Sequence, residues 1–465
     1  MALPHFVAYW GKAQPDAPPP YPRAHPVAYH SLDVAACVGA LLDARPGALA
    51  RGAALLRLPM HDARRLLVAL AALHDLGKFA PAFQVKVEEL WPARLGARDP
   101  SRIPPGRHTD DGYALWCRAL APLVVERLWP GAEDALTALA PAVFGHHGAP
   151  PGLEPRMLAR CFPGSARVDA IAAAEAMLAL LASTRIDAPP LDVGRARVAS
   201  WWVAGLMVVA DWIGSGQRWF RYAAAREDDP TLARYWQDAQ VTAARAVREA
   251  GLAAPATAAE SSYPVLLGHA AWTPTPAQTW TERMPLPDGP ALFVVEDVTG
   301  AGKTEAAHML VHRLIVARRA AGAFWAMPTQ ATANAMYDRQ AAVFAHLFAA
   351  GADTRPSLVL AHGQQRLHDG FRATVLDGAM RPTRARGAGA QDAELDDAPG
   401  TATCSAFLAD DRRAALLADV GAGTVDQALL AVLPSRFNAL RLFALSDRVL
   451  VVDEAHAYDA YMSTE

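Results

Sequence analysis

The residues best suited to chemistry in this sequence are a histidine and an aspartate that stand side by side, His74 and Asp75. They end a run, about residues 61–75, in which leucines recur at the spacing of one buried helix face. An imidazole and a carboxylate at the edge of a core can share one metal ion. Lys78 follows closely and places a cation where a substrate phosphate could approach. Polar residues at a helix end are the simpler explanation, so the pair gains meaning only from partners elsewhere in the chain.

Five further residues of the same two types lie where apolar runs meet loops in the first half of the chain. They are His30, His108, His146, His147 and Asp211. Asp211 stands in the apolar helix predicted over 195–213, where an ionised carboxylate is costly unless it is paired or metal-bound. More than four nitrogen and oxygen ligands indicate two divalent metal ions. Taken singly, each residue has a simpler explanation as a core histidine, a solvated loop histidine or a hydrogen-bonding aspartate.

A second group of residues suits phosphate binding. The segment Thr299-Gly300-Ala301-Gly302-Lys303-Thr304 lies between a predicted strand over 291–295 and a predicted helix. Glycines let backbone N–H groups approach phosphates at the positive end of a helix. Lys303 would reach the β- and γ-phosphates, and the Thr304 hydroxyl would bind Mg²⁺. Asp297 replaces the first glycine of the strict phosphate-loop pattern, and a chance glycine-rich turn is the alternative.

Two acidic residues complete this second group. Asp453 and Glu454 follow an apolar run over 448–452, which predicts that they lie at the tip of a strand. Asp453 would hold Mg²⁺ through water, and Glu454 would orient the water that attacks the γ-phosphate. The tetrapeptide Asp-Glu-Ala-His also occurs in solvated loops, so the interpretation depends on its position downstream of the phosphate loop.

Composition limits the classes of protein to which the chain can belong. Of its 465 residues, 52% are hydrophobic and 20% are charged, which is typical of a globular protein with two or three domains. The net charge of −3 gives no global basic field, so nucleic acid would have to bind to local patches. Cys37, Cys117, Cys161 and Cys404 form no C-x-x-C pair, which argues against a zinc ribbon or a disulfide framework and suits a reducing cytosol. The N-terminus lacks a signal-peptide pattern, and the most apolar run, 198–210, is too short to span a bilayer.

The elements that position the first group are all predicted to be helices. The predicted helices lie at about 30–44, 61–75, 111–128, 132–145, 168–183 and 195–213. Thr109 or Asp110 is the expected N-cap of the third helix. Residues 1–24 are proline-rich and are predicted to form an irregular surface segment, and no strand is predicted in 25–250. The range 1–250 is therefore predicted to be an all-α domain.

The pattern changes after a stretch rich in proline, alanine and threonine, 251–290, which we interpret as a linker and approach segment. Predicted strands at 291–295, 323–327, 357–361 and 448–452 alternate with helices that end near 319, span 330–348 and lie near 425–433. This alternation predicts a parallel α/β sheet in the range 291–465. The polar, glycine-rich stretch 380–402 is predicted to be a mobile loop.

The histidines and aspartates resemble those of a known family, the HD-domain phosphohydrolases. His30, the His74-Asp75 pair and Asp211 match its ordered pattern, and Arg107-His108 and Gly145-His146-His147-Gly148 resemble the two-metal nuclease branch found in CRISPR-associated helicase-nucleases. The resemblance implies that the seven residues hold two divalent transition metal ions, for which Mn, Fe, Co, Ni and Zn would each suit the mixed ligand set. It also implies that His74, Asp75 and Lys78 are catalytic in phosphodiester cleavage.

The second group resembles the superfamily 2 helicases, whose phosphate loop reads T-G-x-G-K-T. Gln278 lies about 22 residues before the loop, as the adenine-sensing glutamine does in that family, with a plain linker glutamine as the alternative. Pro328-Thr329-Gln330 and Gly423-Thr424 resemble the two DNA-backbone motifs, with ordinary helix capping as the alternative. The resemblance implies a RecA-like domain that binds ATP with Mg²⁺, in which Glu454 is catalytic.

The order of the two domains resembles that of the CRISPR-associated helicase-nucleases of type I interference, over about residues 20–465. The resemblance implies a monomeric cytoplasmic protein, without a membrane partner, that a guide-RNA surveillance complex (Cascade) recruits to single-stranded DNA. Such a protein would translocate 3′→5′ with ATP and cut the strand as an endonuclease and exonuclease. The alternatives are a helicase whose HD domain is silent or hydrolyses nucleotides, and a non-enzymatic binding module.

The second RecA-like domain of such helicases is missing from this sequence. Arginines of that domain complete the ATP site, and such arginines contribute about 10³–10⁵ in rate in other nucleoside triphosphatases. We therefore expect the chain alone to bind ATP weakly, to hydrolyse it slowly and not to translocate. Its end directly after a motif is expected to mark a fragment of a longer product, with a naturally split helicase as the alternative.

Overall fold

The computed structural model divides the chain into two compact units. The first, called the helical unit below, comprises Met1–Val247 and Arg436–Phe443, and the second, called the sheet unit, comprises Arg248–Ser435 and Ala444–Glu465. The structure describes residues 4–152, 157–226, 228–229, 231–259, 261–344, 346–349, 356–362, 375–376, 404–405, 407–408 and 412–458. The stretch 380–402, for which the sequence predicts a mobile loop, lies outside these residues.

The helical unit is built mainly from helices, as the sequence predicts. Its α-helices are α1 (Val27–Ala44), α2 (Pro46–Leu56), α3 (Met60–Ala71), α4 (Pro81–Gln84), α5 (His108–Leu115), α6 (Ala121–Leu128), α7 (Glu133–Phe144), α8 (Leu158–Cys161), α9 (Ser165–Leu181), α10 (Val193–Gly214) and α11 (Ala233–Glu249). A π-helical turn, Trp116–Leu120, joins α5 to α6, and short 3₁₀ turns lie at His5–Ala8, Leu76–Phe79, Glu88–Leu90, Ala93–Leu95 and Pro100–Arg102. Helix α10 packs against α7 and α1, and α1 packs against α3, so these four helices enclose the core.

Two helices of this core are unusually apolar. Helix α1 has 18 residues and α10 has 22, and each is long and apolar enough to cross a membrane by length and composition. However, 83% of the most apolar window of α1 and 67% of that of α10 are buried inside the fold. Their apolar residues therefore serve as core, as in the central helix of many globular proteins.

The turn that carries His74 and Asp75 begins earlier than the sequence predicts. Helix α3 ends at Ala71, so both residues lie in the turn after the helix rather than on its last turn. The next turn passes so close to α5 that a Cβ at Gly77 would overlap the backbone oxygen of His108. This close approach of the backbone requires glycine and fixes the path of the turn beside α5.

The predicted cap of the helix after residue 107 is wrong. Helix α5 begins at His108 with Arg107 as its N-cap and with no side-chain capping hydrogen bond, and Thr109 and Asp110 lie inside its first turn. The helix begins early because packing against the turn at Gly77, rather than a capping side chain, fixes its first residues.

The prediction of an irregular segment over 1–24 and of no strand in 25–250 is also wrong. Strand β1 (Trp10–Ala13) pairs antiparallel with β2 (Ala24–Pro26) and forms a short ribbon whose first residue, Trp10, is buried. Strands this short, one of them ending in proline, show too little alternation of apolar and polar residues to be recognised. Gly11 lies so close to α1 that a Cβ there would stand 2.9 Å from Val27 Cα.

The sheet unit contains the parallel sheet that the sequence predicts. Its elements are α12 (Tyr263–Leu266), α13 (Pro276–Arg283), α14 (Lys303–Val316), β3 (Gly322–Met327), α15 (Gln330–Phe344), β4 (Leu358–Ala361), β5 (Val375–Leu376), β6 (Cys404–Ser405), α16 (Arg412–Ala415), β7 (Val420–Thr424), α17 (Asp426–Leu429) and β8 (Arg448–Val452), with a 3₁₀ turn at Ala455–Ala457. Between α17 and β8 the chain forms α18 (Asn438–Leu445), which up to Phe443 belongs to the helical unit. Four strands form a parallel sheet in the order β4-β7-β3-β8. The predicted strands at 323–327, 357–361 and 448–452 are thereby confirmed as β3, β4 and β8.

The strand predicted over 291–295 is wrong, because residues 291–298 contain neither strand nor helix. Leu292 is 89% exposed and Val294 is 76% exposed, so the apolar run has no strand beside it to pair with its backbone. Strand β7, in contrast, was not predicted. Its sequence, Val-Gly-Ala-Gly-Thr, has few residues that favour strands, and its glycines let β4 and β7 approach closely.

Candidate metal centre and nucleotide-binding loop

The helical unit brings together all seven residues predicted to be metal ligands. Helix α1 supplies His30, the turn after α3 supplies His74 and Asp75, the first residue of α5 is His108, the turn after α7 supplies His146 and His147, and α10 supplies Asp211. Five of them are buried, and His108 and His147 are partly exposed. Helices that are far apart in the sequence therefore converge on one polar cluster inside an apolar core.

Six of these residues form two groups of three, and within each group the ligand atoms all lie within 4.8 Å of one another. One group contains His30, His74 and Asp75, and the other contains His108, His146 and His147. Asp75 faces both groups, one with each oxygen. Its Oδ2 lies 3.1 Å from His30 Nε2 and 3.3 Å from His74 Nε2, while its Oδ1 lies 3.5 Å from the Nε2 atoms of both His108 and His146. A carboxylate in this position can serve two ions at once.

Asp211 belongs with the first group. Its Oδ1 lies 3.4 Å from His30 Nε2 and 3.8 Å from His74 Nε2. The first group thus offers two imidazoles and two carboxylates. The second group offers three imidazoles, and Asp75 Oδ1 supplies its oxygen.

Hydrogen bonds from the outer ring nitrogens orient two of the histidines. His74 Nδ1 lies 2.8 Å from the backbone oxygen of Ala71, and His146 Nδ1 lies 3.3 Å from that of Val143. When each Nδ1 carries the proton and donates to its carbonyl, the Nε2 lone pair points into the cluster, which is the tautomer that a metal ligand needs.

The inner polar atoms of the cluster fit a metal ion. Among the described residues, the Nε2 atoms of His30, His74 and His146 and the Oδ1 atom of Asp75 are buried without a hydrogen-bond partner. Buried polar atoms left in this state cost free energy, whereas divalent cations would bind them all. The donor set of imidazole nitrogens and carboxylate oxygens suits a first-row divalent ion.

Protonation states in the cluster also favour metal binding. Burial lowers the pKa of His30 to about 4 and that of His108 to about 3, so both imidazoles are neutral at neutral pH, as ligation requires. Burial by itself would raise the pKa of the Asp75 carboxyl, but nearby Lys78 and His74 outweigh it and hold the pKa well below the ordinary value. Asp75 is therefore ionised and ready to bind a cation.

Lys78 lies against the shared carboxylate. Its ammonium group is 2.5 Å from Asp75 Oδ2 and donates a hydrogen bond to the backbone oxygen of Gly11 at 3.2 Å. The Lys78 side chain is buried, so its positive charge compensates the negative charge of Asp75 without screening by water. The contact with a scissile phosphate stays a prediction.

Two residues of the centre were not predicted. Lys12 on β1 donates a hydrogen bond to Ser215 Oγ at 2.8 Å, and Ser215 Oγ donates to Asp211 Oδ1 at 3.0 Å. Neither residue belongs to a recognisable motif, and the ribbon that places Lys12 was itself not predicted. The rarity of lysine in this chain is the one signal that could have pointed to Lys12.

The turn with His146 and His147 is held by the second segment of the helical unit. The backbone N–H of Phe437 donates to the oxygen of Gly148 at 2.9 Å, and Arg436 Nε donates to the oxygen of His147 at 3.0 Å. The ring of Phe437 lies 5.6 Å from that of Trp212 on α10. This segment therefore fixes the backbone of a ligand-bearing turn.

In the sheet unit, the predicted phosphate loop precedes helix α14. Gly300 and Gly302 have φ angles of 83° and 81°, which glycine adopts without strain, and Gly302 is the N-cap of the helix. The Lys303 ammonium group donates to the backbone oxygens of Asp297 at 2.9 Å and Val298 at 3.0 Å. The ammonium group of Lys303 thus lies against the loop in which the phosphates are predicted to bind. Thr299 and Ala301 lie in the same loop, in or next to its turn.

The two residues predicted to bind Mg²⁺ meet at the end of strand β8. Thr304 Oγ1 donates to Asp453 Oδ2 at 3.4 Å, although the two residues are 149 positions apart in the sequence. Glu454, the next residue, is exposed and has a φ angle of 53°. A hydroxyl and a carboxylate oxygen beside a phosphate loop are the pair that Mg²⁺ uses in nucleoside triphosphatases.

Gln278 is buried against the phosphate loop rather than lying in a linker. Its Nε2 donates to the backbone oxygen of Gly302 at 3.1 Å, and its Oε1 accepts from the backbone N–H of Thr275 at 3.1 Å and from Trp272 Nε1 at 3.2 Å. The side chain therefore joins helix α13 to the loop. Its contact with adenine stays a prediction.

The predicted DNA-backbone motifs lie at the carboxyl edge of the sheet. Pro328 and Thr329 directly follow β3, Gln330 begins α15, and Gly423 and Thr424 end β7. Carboxyl ends of parallel strands are the usual place for ligands in α/β sheets. Thr329 Oγ1 also accepts from the N–H of Thr332 at 3.1 Å, as an ordinary helix cap does. DNA binding by these residues stays a prediction.

Comparisons with known proteins agree with this arrangement. Residues 10–220 match the family described as Cas3, HD domain. The chain is 30% identical to the CRISPR-associated endonuclease/helicase Cas3 of Escherichia coli (strain K12), over 99% of this chain and 52% of that protein. A crystal structure of T. fusca Cas3-ATP matches 99% of this chain and 47% of its own, with 25% identity and a TM-score of 0.75. A structure described as a CRISPR RNA-guided surveillance complex, pre-nicking, matches all of this chain and 45% of its own, with 25% identity and a TM-score of 0.61.

The helical unit, with its converging histidines and aspartates, is an HD domain. Residues 10–220 match the Cas3 HD family, and nearly the whole chain is similar to the N-terminal portion of Cas3 nuclease/helicases, with the parallel sheet of a Cas3-like fold. The chain spans about half the length of the curated relatives that it matches.

Proposed function

We propose that the helical unit is a nuclease that cuts single-stranded DNA with two divalent transition metal ions. The observation that carries this proposal is Asp75, whose two oxygens each face one group of ligands. His30, His74 and Asp211 would hold one ion, and His108, His146 and His147 would hold the other. Such a pair of ions supplies the activation of a water and the stabilisation of the leaving oxygen in phosphodiester cleavage.

The residues of this chain keep the ligands in position for that chemistry. The backbone carbonyls of Ala71 and Val143 fix the tautomers of two imidazoles, and Lys78 holds the shared carboxylate ionised. After a phosphodiester enters, the ammonium group of Lys78 is also placed to offset the charge that develops on the phosphate. The apolar core around the cluster keeps these interactions strong, because it excludes water.

In the sheet unit we propose a RecA-like domain that binds ATP with Mg²⁺ and drives 3′→5′ movement of the whole protein along DNA. The hydrogen bond between Thr304 and Asp453 and the phosphate loop at residues 299–304 support ATP binding. Similarity to a T. fusca Cas3-ATP structure supports it further. Glu454 would orient the attacking water.

The proposed partner is a guide-RNA surveillance complex (Cascade) in the cytoplasm, where the protein would act as a monomer. The support is the similarity of the chain to a structure of a CRISPR RNA-guided surveillance complex. In such systems guide pairing reads the sequence, so the nuclease itself needs only backbone contacts with DNA.

The test is cleavage of circular single-stranded DNA by the metal-loaded chain. Asp75→Ala is expected to abolish cleavage, because it removes the oxygens that both ions share. Asp187→Asn, at an exposed aspartate, is the matched control and should cleave as the unchanged protein does. An unchanged protein that holds two ions and cuts no DNA would refute the proposal, and turnover of nucleotides alone would support a nucleotide hydrolase instead.

A further inference from the structure

Lysine is rare in this chain. Of 44 lysines and arginines only four are lysines, namely Lys12, Lys78, Lys86 and Lys303. Lys303 belongs to the phosphate loop, and Lys78 contacts Asp75. An ammonium group is a compact charge with three donors, whereas the guanidinium group is a broad planar fork. Positions that keep lysine in a chain that otherwise uses arginine are therefore candidates for contacts that need a compact cation.

Lys12 borders the metal ligands on the side of the first group. The residue is partly exposed, and its ammonium group is connected through Ser215 Oγ to Asp211, which lies beside His30. Ser215 uses one of the three donors of the ammonium group. The described residues offer no second acceptor to the remaining donors, which can bind an anion that reaches the proposed metal centre.

Lys86 borders the ligands on the side of the second group. The residue is exposed, and its ammonium group lies 4.7 Å from the ring centroid of Phe83. The Phe83 ring in turn lies 5.6 Å from the ring of His108. Lys78 stands 5.4 Å from the same Phe83 centroid. A single aromatic ring therefore gathers two cations beside the metal ligands, although like charges repel each other.

The charge balance of the centre favours a polyanion. Two divalent ions would bring four positive charges, of which Asp75 and Asp211 offset two. The three ammonium groups of Lys12, Lys78 and Lys86 add to this excess. Such a field destabilises the protein by itself but attracts and holds a chain of phosphates.

From the proposed nuclease function, we infer that Lys12 and Lys86 are phosphate-binding residues that hold the DNA strand on the two sides of the metal centre. Lys12 takes a phosphate beside the group with His30 and Asp211, and Lys86 takes one beside His108. Lys78 stands between them at the shared carboxylate. Because phosphates carry no sequence information, these contacts fit a nuclease whose target is chosen by a partner.

The experiment compares cleavage by the metal-loaded full chain and by Lys12→Gln and Lys86→Gln at several salt concentrations. Each substitution is expected to raise KM about fivefold with kcat and bound metal unchanged, and to reduce the slope of log(kcat/KM) against log[salt] by about 0.7, as for one lost single-strand contact. Lys12→Arg and Lys86→Arg keep the charge and should keep the slope. Arg51→Gln, an exposed site on α2 with the same charge change, is the control and should change neither quantity.

Unchanged KM and salt slope in the two glutamine variants would overturn the inference while leaving the nuclease proposal intact. Loss of bound metal in Lys12→Gln, reproduced by Ser215→Ala, would show that Lys12 only positions Asp211 and would overturn its role in phosphate binding. If the unchanged metal-loaded protein does not cut DNA, the nuclease proposal fails. The same salt slopes, measured by fluorescence anisotropy of a bound single-stranded oligonucleotide, then decide the role of the lysines separately.

Discussion

At the scale of single residues, the proposed metal centre depends on how its two carboxylates are distributed between the two groups of ligands. Asp75 faces both groups of ligands. In the described structure, the histidines within 4 Å of Asp211 Oδ1 are His30 and His74, which both belong to the first group. Substitution of the two aspartates should therefore have different effects on metal binding. Asp75 affects both ions, and Asp211 affects one.

We expect Asp211→Asn to lose the ion of the first group and to keep the ion at His108, His146 and His147. The amide is neutral and offers a weaker oxygen ligand, so affinity at the first group should fall by about 100-fold or more. Elemental analysis after dialysis at a fixed free metal concentration measures the result, with Asp187→Asn as the control. Two retained ions, or the loss of both, would contradict the assignment of Asp211.

A second residue-scale prediction concerns His308, a buried residue on α14 of the sheet unit. It is not one of the proposed metal ligands. Burial lowers its pKa to about 4 from an ordinary value of 6.5, against a weaker opposing effect of its contacts with Thr304 and Glu305. Between these values the unfolded chain binds more protons than the folded chain. The stabilisation from neutral His308 is thus present above about pH 6.5 and is lost as the pH falls toward 4.

The size of this effect is on the order of 3 kcal/mol, since one pKa unit corresponds to about 1.4 kcal/mol. His308→Gln should therefore lose less free energy of unfolding than the unchanged protein between pH 7 and pH 4. Urea denaturation followed by circular dichroism at each pH measures the difference. Identical pH dependence in both proteins would show that His308 is not held neutral by burial.

The convergence of the seven proposed metal ligands was predictable because few side chains bind transition metals, and their order along the chain matched a known pattern. Lys12 and Ser215 were not, because a lysine or serine that acts through a hydrogen bond to a ligand carries no spacing of its own. Their positions depend on the ribbon of β1 and β2 and on the end of α10. Tertiary structure alone brings them together.

At the scale of elements, the metal centre depends on close contacts between turns and helices. Gly77 permits the turn after Asp75 to touch the first residue of α5, His108, which is itself a predicted ligand. The same contact therefore sets the positions of residues from both metal groups.

We expect Gly77→Ala to separate the turn from α5, because the new Cβ would overlap the backbone oxygen of His108. The cost should be about 3 kcal/mol or more, which lowers Tm by roughly 6–12 °C for a domain of this size. Gly47→Ala on α2, where a Cβ meets nothing within 4 Å, is the matched control and should not lower Tm. Calorimetry measures both, and equal Tm values would contradict the close approach.

Elements differed in how well the sequence predicted them. Strands β3, β4 and β8 were predictable because each is a continuous apolar run in a parallel sheet. Strand β7 was missed because glycine and alanine make up most of it, and the run 291–295 was wrongly predicted because apolar residues alone do not supply a pairing strand. Whether such a segment forms a strand is therefore decided by its neighbours in space, which the local sequence does not show.

At the scale of the whole molecule, the two proposed sites lie in separate units. The metal centre draws all its ligands from the helical unit, and the phosphate loop with Asp453 belongs to the sheet unit. The order of these motifs along the chain was predictable. The membership of Arg436–Phe443 in the helical unit was not, because its contacts are made across long sequence separations.

We expect the two chemistries to be separable by substitution. Lys303→Ala should abolish ATP binding, because it removes the cation of the phosphate loop, and should leave metal-dependent cutting of single-stranded DNA within about twofold of the unchanged protein. Asp75→Ala should have the opposite effect. Equilibrium binding of a fluorescent ATP analogue and the cleavage assay measure the two activities. Loss of both in either variant would argue against separate sites.

The most direct test of the central claim is a crystal structure of the chain grown with Mn²⁺, with anomalous diffraction recorded at wavelengths on both sides of the manganese absorption edge. The account predicts two anomalous peaks about 3.5–4 Å apart, the usual spacing of two-metal sites. One should lie at His30, His74 and Asp211, the other at the remaining histidines, with one oxygen of Asp75 on each. A single peak, or a pair that Asp75 does not contact, would contradict the account.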